Sequence, residues 1–471
     1  MDKAAKEAFV SGLEGTTLFE VMALAAVVPV VVFLRRLIGT ITPRFASVKE
    51  RPGPEAYVLD FVVVVLPVLL AVMIEHSLAT ILTLLLITTA SVYFIFVRSR
   101  VEKRSSQSHL ATSSRKPYLA VWRSTMMITT CICILGVDFH AFPRRFAKTE
   151  TFGTSLMDVG VGSFVLANAL LSPQARAIPI KGWQVMHTLR RLIPLVVLGT
   201  ARIVVTSLAS YQVHVGEYGV HWNFFYTLAV VALLAAILPV PPRWSGAAGA
   251  AVLAAHQAAL SKWSMTDYIM TEERDQDSLL DLNKEGICSI PGYFGLHLLG
   301  VQLGHTLLHA QAGHVASGLG PRLGGAAASA PRATQSSTSW SGAHKIWLLS
   351  GSLWASMYVA THAVEEVSRR STNVAYVCFM LAYNLTVIGS FYMMDLLLPP
   401  VPIPLLQAIN DHLLFTFLVA NMLTGLVNVS VHTMEVGQVE AVAIVALYLG
   451  CVCFATISLD RHLKREVKQN I

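Results

Sequence analysis

The sequence predicts an all-α, polytopic integral membrane protein with about thirteen transmembrane helices in one bundle, and three observations carry that expectation. Hydrophobic residues make up 54% of the 471 positions and charged residues only 13%, too few polar groups to coat a water-soluble globule of this size. The mean hydropathy is +0.58. The apolar runs last about 20 residues, the length of a helix that crosses hydrocarbon, whereas a β-barrel would show short alternating segments.

Taken in order, the apolar windows fall at 16–34, 56–74, 78–97, 119–137, 153–172, 192–209, 222–240, 244–262, 292–310, 344–362, 374–395, 403–426 and 437–458. The first is longer than a signal-peptide core, has no small-residue cleavage pattern and is followed by Arg35 and Arg36, so it reads as an uncleaved span. Residues 1–471 form a single transmembrane domain on this reading. Gln311–Gly342, rich in Ala, Gly and Ser, lacks the bulky apolar content to pack and is expected to be a flexible, low-complexity cytosolic loop. Residues 460–471 form a short cytosolic tail. No internal repeat is visible, so the inverted-repeat plan of secondary transporters gains no support.

Lys and Arg exceed Asp and Glu by 35 to 28, and cytosolic loops hold such excess. The loops that follow odd-numbered spans, Arg35–Arg51, Arg98–Lys116 and Ala175–Arg191, are basic and share a side with the tail. Even-numbered loops such as Tyr211–Val220 and Thr266–Glu285 are poor in base or acidic. The N-terminus is therefore expected in the lumen and the C-terminus in the cytosol. The bases are strung along loops and not gathered with aromatics, which argues against a nucleic-acid partner. Six cysteines show no zinc spacing; Cys131, Cys133, Cys451 and Cys453 sit in apolar runs as small hydrophobes.

One even-numbered loop departs from this pattern. DFHAFPRRFAKTE, Asp138 to Glu150, puts Arg144, Arg145 and Lys148 on the non-cytosolic face. Short translocated loops tolerate a few bases, and Lys148 can pair with Glu150; the functional alternative is a lipid phosphate held at the membrane surface. Asp138 sits where an apolar helix emerges, Pro143 stops simple continuation of the helix, and Lys148 follows ten residues on. The chain can therefore fold back and bring an acid and a base to one pocket mouth.

Ionisable groups inside apolar runs are the second source of candidates, since each costs several kcal/mol unless it faces a partner or a cavity. Arg123, Asp158, Arg202, Asp395, Asp411 and Glu435 qualify. Arg202 pairs with Asp158 on a structural reading, or faces a ligand on a functional one. Third, in YQVHVGEYGVHWNFF the residues His214, Glu217, Tyr218 and His221 recur at helical spacing. Gly216 and Gly219 weaken a helix there and the HExxH order is missing, so a hydrogen-bonding rim over a polar headgroup, with Asn223 beside it, is favoured over a metal. His305 and His309, one turn apart, read as satisfied interior histidines. The sequon Asn428-Val-Ser430 falls on a lumenal loop too close to the membrane for ready glycosylation, and Asn384-Leu-Thr386 is inside a span.

VDFHAFPRRFAKTETFGTSLMDVGVGSFV resembles a signature block of the glycosylphosphatidylinositol (GPI) inositol acyltransferase family, phosphatidylinositol-glycan class W in animals and its fungal counterpart. EYGVHWNFFYTLA at 217–229, NKEGICSIPGYFGLHLLG at 283–300, STNVAYVCFMLAYN at 371–384 and NMLTGLVNVSVHT at 421–433 resemble further blocks. The family block reads close to DFPLFPRRF, and this chain has His140 in place of the first Pro. The resemblance implies a multi-pass enzyme of the endoplasmic reticulum that moves an acyl group, usually palmitoyl, from acyl-CoA to the 2-hydroxyl of inositol in glucosaminyl-phosphatidylinositol. It implies that Asp138 and Lys148 match the family's catalytic Asp and Lys. Arg144, Arg145, Asp158, Arg202, His214, Glu217, His221 and Asn223 are the candidate substrate-binding residues. The expected partners are glucosaminyl-phosphatidylinositol, acyl-CoA as co-substrate, and membrane lipids; no cofactor, metal or obligate protein partner is expected. Many helices and buried charges also suit a transporter or scramblase for a lipid-linked or anionic solute, the competing expectation.

Overall fold

The structure, a computed structural model, describes residues 11–42, 52–74, 116–178, 182–208, 215–309, 339–398 and 401–469, together with Phe9, Leu82, 86–90 and Tyr93. Among these residues every regular element is helical. The principal helices are α1 (Leu18–Ile41), α2 (Pro54–Met73), α3 (Pro117–Gly136), α4 (Val159–Leu170), α5 (Gly182–Leu208), α6 (Phe224–Ile237) and α7 (Pro242–Lys262). They continue with α8 (Ile290–His309), α9 (Trp340–Ala363), α10 (Val374–Leu397), α11 (Pro404–Asp411), α12 (Leu413–Ser430) and α13 (Gln438–Gln469). Seven described stretches are long and apolar enough to cross a bilayer, and α4, α6 and part of α5 add shorter apolar helices. The protein is a multi-pass, all-α membrane protein. Each apolar window except 78–97, most of which lies outside the described residues, falls on one of these helices or, for 403–426, on two.

Local chemistry sets the helix starts. Thr17 caps α1 by accepting from the Glu20 amide, Asn223 caps α6, Ser339 caps α9 and Asn373 caps α10, each satisfying amides that have no carbonyl partner in the first turn. Pro stands in the first turn of α2, α3, α7 and α11, where its missing N–H costs nothing. The single window 403–426 is broken at His412 into α11 and α12. Of the expected loop 311–342, residues 311–338 lie outside the described residues, and Trp340–Gly342 already begin α9. The expected tail is a helical continuation of α13 to Gln469.

α1 does not end before Arg35. It runs on to Ile41, and both arginines, assigned above to a cytosolic loop, are buried. Arg35 Nε donates to Asp60 Oδ1 at 2.6 Å, and Arg36 pairs with Asp395 near the end of α10. Asp60 also accepts the Leu405 amide at the start of α11, at 3.0 Å. Two carboxylates inside apolar helices thus have arginine partners, as a low-dielectric interior requires. These charges tie α1, α2, α10 and α11 together at one end of the bundle. At the opposite end lie the last turns of α3 and α12 and the first turns of α1, α4 and α10. There the loops gather.

Candidate active site

The loop after α3 is folded by its aromatics. Phe139, Phe142 and Phe146 are buried in the main core, and a single 3-10 turn, Arg144–Phe146, follows Pro143. Gly136 is the pivot. A Cβ there would lie 3.0 Å from Met73 Sδ and 3.1 Å from the Phe142 ring, so a side chain would force the turn outward. With three phenyl rings pointing in, the polar residues between them point to the mouth of the bundle. His140 is exposed there and its ring stands 4.5 Å from that of Phe9.

Asp138 accepts a hydrogen bond on Oδ2 from the Asn428 amide of α12 at 2.7 Å. Arg144 lies within electrostatic reach of the same carboxylate. The Arg144 guanidinium donates through Nη2 to the Val137 carbonyl at 2.6 Å and stacks over the Phe9 ring at 4.0 Å. Its Nη1 is buried with no hydrogen-bond partner among the described residues. Burial pulls its pKa down to about 10 despite the opposing effect of Asp138, so the group stays a cation at neutral pH. Arg145 is engaged differently: its guanidinium forks onto Glu20 at the start of α1, with Nη2 3.0 Å from Oε1. That ion pair staples the loop to α1, and the structure gives Arg145 this bracing role.

Lys148 is held by a different partner. Its Nζ donates to Glu217 Oε1 at 2.6 Å, with the lysine side chain 33% exposed and the glutamate 13%. Behind Glu217 stands Arg369, whose Nη1 is 3.8 Å from the same Oε1 and whose Nε donates to Asp158 Oδ1 at 2.7 Å. Asp158 also accepts from the Thr149 hydroxyl at 2.9 Å. Burial would raise the Glu217 carboxyl, but Lys148 and Arg369, with a smaller contribution from Arg202, hold it at about 2. Next in the chain, Arg370 donates to Glu285 at 2.8 Å, and Arg274 pairs with that carboxylate as well. Cations and carboxylates alternate through the network, the arrangement that makes buried charge tolerable.

The loop that presents Arg369 and Arg370 is itself well braced. Asn373 donates to Glu365 and to the Glu366 carbonyl, Gln257 of α7 donates to Glu365, and His256 meets the Ser371 carbonyl at 2.9 Å. Thr372 takes a positive φ of 50° against Gly292, whose absent side chain leaves room for the Thr372 carbonyl.

A sequence model of the GWT1 family matches residues 2–459. The chain belongs to the GWT1 family. It is 30% identical to the phosphatidylinositol-glycan biosynthesis class W protein of Dictyostelium discoideum over 96% of each chain. It is 33% identical to GPI-anchored wall transfer protein 1 of Aspergillus oryzae over 98% of each. An uncharacterized protein of Arabidopsis thaliana is 39% identical over 85% of this chain and 86% of its own.

The blocks by which this GWT1-family chain resembled the acyltransferases are scattered through the sequence, yet they meet at this one mouth. Asp138 and Lys148 come from the first, Glu217 and Asn223 from the second, Asn283 and Glu285 from the third, Tyr376 from the fourth and Asn428 from the fifth. Tyr376 donates to the Asp158 carbonyl at 2.8 Å.

Several expectations for individual residues change. Asp158 pairs with Arg369 and not with Arg202; Arg202 is exposed on α5 and contributes to the field at Glu217. Glu217, Tyr218 and His221 do not share a helix face. The helical turn ends at Tyr218, Gly219 reverses the chain at φ 107°, and His221 is exposed with its amide bonded to Asn283 Oδ1 at 2.8 Å. His214 lies outside the described residues. Asn223 is spent on structure: Oδ1 caps α6 through the Phe225 amide at 3.0 Å and Nδ2 donates to the Gly199 carbonyl at 3.0 Å. The ion-pair members Arg369, Arg370, Glu285 and Arg274 went unrecognised in the sequence. A signal existed, since Arg369 and Arg370 sit in another loop that, in the expected topology, holds bases against the trend.

An apolar cavity of about 620 Å³ lies elsewhere, between α1 and α10. Met22, Pro29, Phe33, Tyr93, Met393 and Leu397 are among its walls.

Proposed function

We propose that the protein is an acyl-CoA-dependent inositol O-acyltransferase of GPI-anchor biosynthesis in the endoplasmic reticulum. It transfers a fatty acyl group, palmitoyl by resemblance, to the 2-hydroxyl of inositol in glucosaminyl-phosphatidylinositol. The observation that carries this reading is full-length membership of a family whose relatives are named for phosphatidylinositol-glycan biosynthesis and GPI-anchored wall transfer. The signature loop at the mouth of the bundle supports it, because both of its candidate reacting groups are held by partners.

On this reading Asp138 takes the proton of the inositol hydroxyl as the oxygen attacks the thioester carbonyl of acyl-CoA. Lys148 stabilises the oxyanion of the tetrahedral intermediate or orients the base, and Glu217 keeps the ammonium in place. Collapse of the intermediate breaks the C–S bond, and the leaving thiolate receives the proton from Asp138, giving the inositol ester and free CoA. No serine or cysteine nucleophile is needed. The free Nη1 of Arg144 is placed to receive the lipid phosphate. The mouth faces the lumen, with the N-terminus on that side and the C-terminus in the cytosol.

The test is acylation of glucosaminyl-phosphatidylinositol by the purified full-length chain in nanodiscs with palmitoyl-CoA. Product is expected with the natural chain and lost with Asp138→Asn at unchanged folding. A folded natural chain that makes no product would overturn the assignment and favour transport; a fully active Asp138→Asn would remove that residue from the mechanism.

A further inference from the structure

Asn428 stands in the last turn of α12, with its side-chain amide turned toward the loop after α3. The carboxylate of Asp138 can only accept, so the amide end at 2.7 Å from Oδ2 is the nitrogen, and this fixes the other end as the oxygen. That oxygen, Oδ1, is buried and has no hydrogen-bond partner among the described residues. A buried carbonyl-type acceptor without a donor is costly, and a substrate donor is the natural remedy. Arg144 Nη1 is likewise buried and unpartnered beside Asp138. Among the described residues, the wall around the carboxylate therefore holds an unused acceptor, Asn428 Oδ1, and an unused cationic donor, Arg144 Nη1.

We propose that Asn428 is a positioning residue for Asp138 whose free amide oxygen receives a second hydroxyl of the substrate, so that the mouth recognises a vicinal diol and not a lone alcohol. The inference rests on the acyl-transfer reading. In a ring whose 2-hydroxyl reacts and whose 1-position holds the phosphodiester, the free neighbour is the 3-hydroxyl. With the reacting oxygen on Asp138, that neighbour is the donor for Asn428 Oδ1, while Arg144 serves the phosphate on the other flank. Asn428 Nδ2 is then unavailable as a glycan acceptor, although Asn428-Val-Ser430 has the form of a sequon.

The donated hydrogen bond also favours the ionised form of the base. The charged and titratable neighbours of Asp138 include, among the described residues, Arg144 from its own loop and Tyr448 from α13. Removal of the Asn428 donor makes protonation of the carboxylate easier.

The experiment measures acylation of glucosaminyl-phosphatidylinositol, and of its 3-deoxy-inositol analogue, by the full chain across pH. The natural chain is expected to handle the 3-deoxy substrate roughly tenfold less well. Asn428→Ala is expected to lose about 100-fold in kcat/KM on the full substrate, to show the acid limb of its profile at higher pH, and to discriminate no longer against the 3-deoxy analogue. Asn428→Asp, nearly isosteric, sets a second carboxylate beside the base and is expected to move the acid limb further. It keeps the test open if the alanine variant fails to fold. Ser430→Ala removes the sequon alone and is expected to behave as the natural chain. Unmoved acid limbs in both variants, discrimination that survives in Asn428→Ala, or a Ser430→Ala defect equal to that of Asn428→Ala would each overturn the proposal. A natural chain that makes no acylated product would instead overturn the acyl-transfer reading itself.

Discussion

Lys148 and Glu217 are 69 residues apart in the chain and 2.6 Å apart in the structure. A lysine on a four-carbon stem loses much rotamer freedom when one position is imposed, and here a carboxylate backed by Arg369 imposes it. Glu217→Gln keeps shape and hydrogen bonding but removes the charge that holds the ammonium. Under the proposed mechanism this variant should lose about 10- to 100-fold in kcat with little change in KM for the lipid. Steady-state kinetics with both substrates varied checks it. A raised KM at constant kcat would show that the pair serves binding alone.

The same pair sets an acid limit on stability. Glu217 is held at about 2 in the folded protein against an ordinary value of 4.5, so its contribution is complete above about pH 4.5 and is lost as pH falls toward 2. The depression corresponds to on the order of 3 kcal/mol. Thermal unfolding of the detergent-solubilised chain should show a midpoint that drops below about pH 4.5, with a shallower drop in Glu217→Gln. Parallel curves for the two proteins would remove Glu217 as the acid-sensitive group.

Much of this fold was legible because hydrocarbon leaves few options: about 20 apolar residues in a row must be a helix. Charge sign against the expected topology singles out the loop from Asp138 to Lys148 in the sequence alone. Pairing was not legible. Arg35 and Arg36 read as loop residues because a hydropathy window ends at the first charge, whereas α1 continues to Ile41 once Asp60 and Asp395 neutralise them. Arg369 finds Asp158 across 211 residues, a contact that no local pattern encodes. Asn223 and Asn428 show the same limit. One caps a helix and the other holds a carboxylate, and the two differ only in what the fold brings to them.

Arg369 and Asp158 are both almost fully buried, which makes their removal non-additive. Either Arg369→Gln or Asp158→Asn leaves the partner as an uncompensated buried charge, a loss of about 3–5 kcal/mol. The double variant removes both charges and should recover part of that loss, since two amides can still hydrogen-bond in the space. Glu217 and Thr149 touch the pair, so recovery will be incomplete. Unfolding midpoints of the three variants form the cycle, and a double variant no better than the sum of the singles would show that the pair contributes no direct coupling.

Adjacent arginines in PRRF should part company in the same assay. Arg145 has its guanidinium on Glu20, and its loss frees a carboxylate at the start of α1 and loosens the loop. Half-exposed ion pairs of this kind contribute about 0–1 kcal/mol, so Arg145→Ala should lower the unfolding midpoint slightly and leave the KM for the lipid substrate unchanged. Arg144 is anchored by Nη2 to the Val137 carbonyl, by Nε to the Phe142 carbonyl and by its face to Phe9, with Nη1 left unused among the described residues. A guanidinium so fixed presents a donor to a phosphate with little entropy left to lose on binding. Arg144→Ala should therefore raise the apparent KM for glucosaminyl-phosphatidylinositol about tenfold or more, leave the KM for acyl-CoA unchanged and affect kcat less. Arg144→Lys restores the charge but not the fork, and should recover only part of the affinity. An acyl-CoA KM that rises in place of the lipid KM would transfer Arg144 to the CoA phosphates and move the donor, not the acceptor, to this side of the mouth.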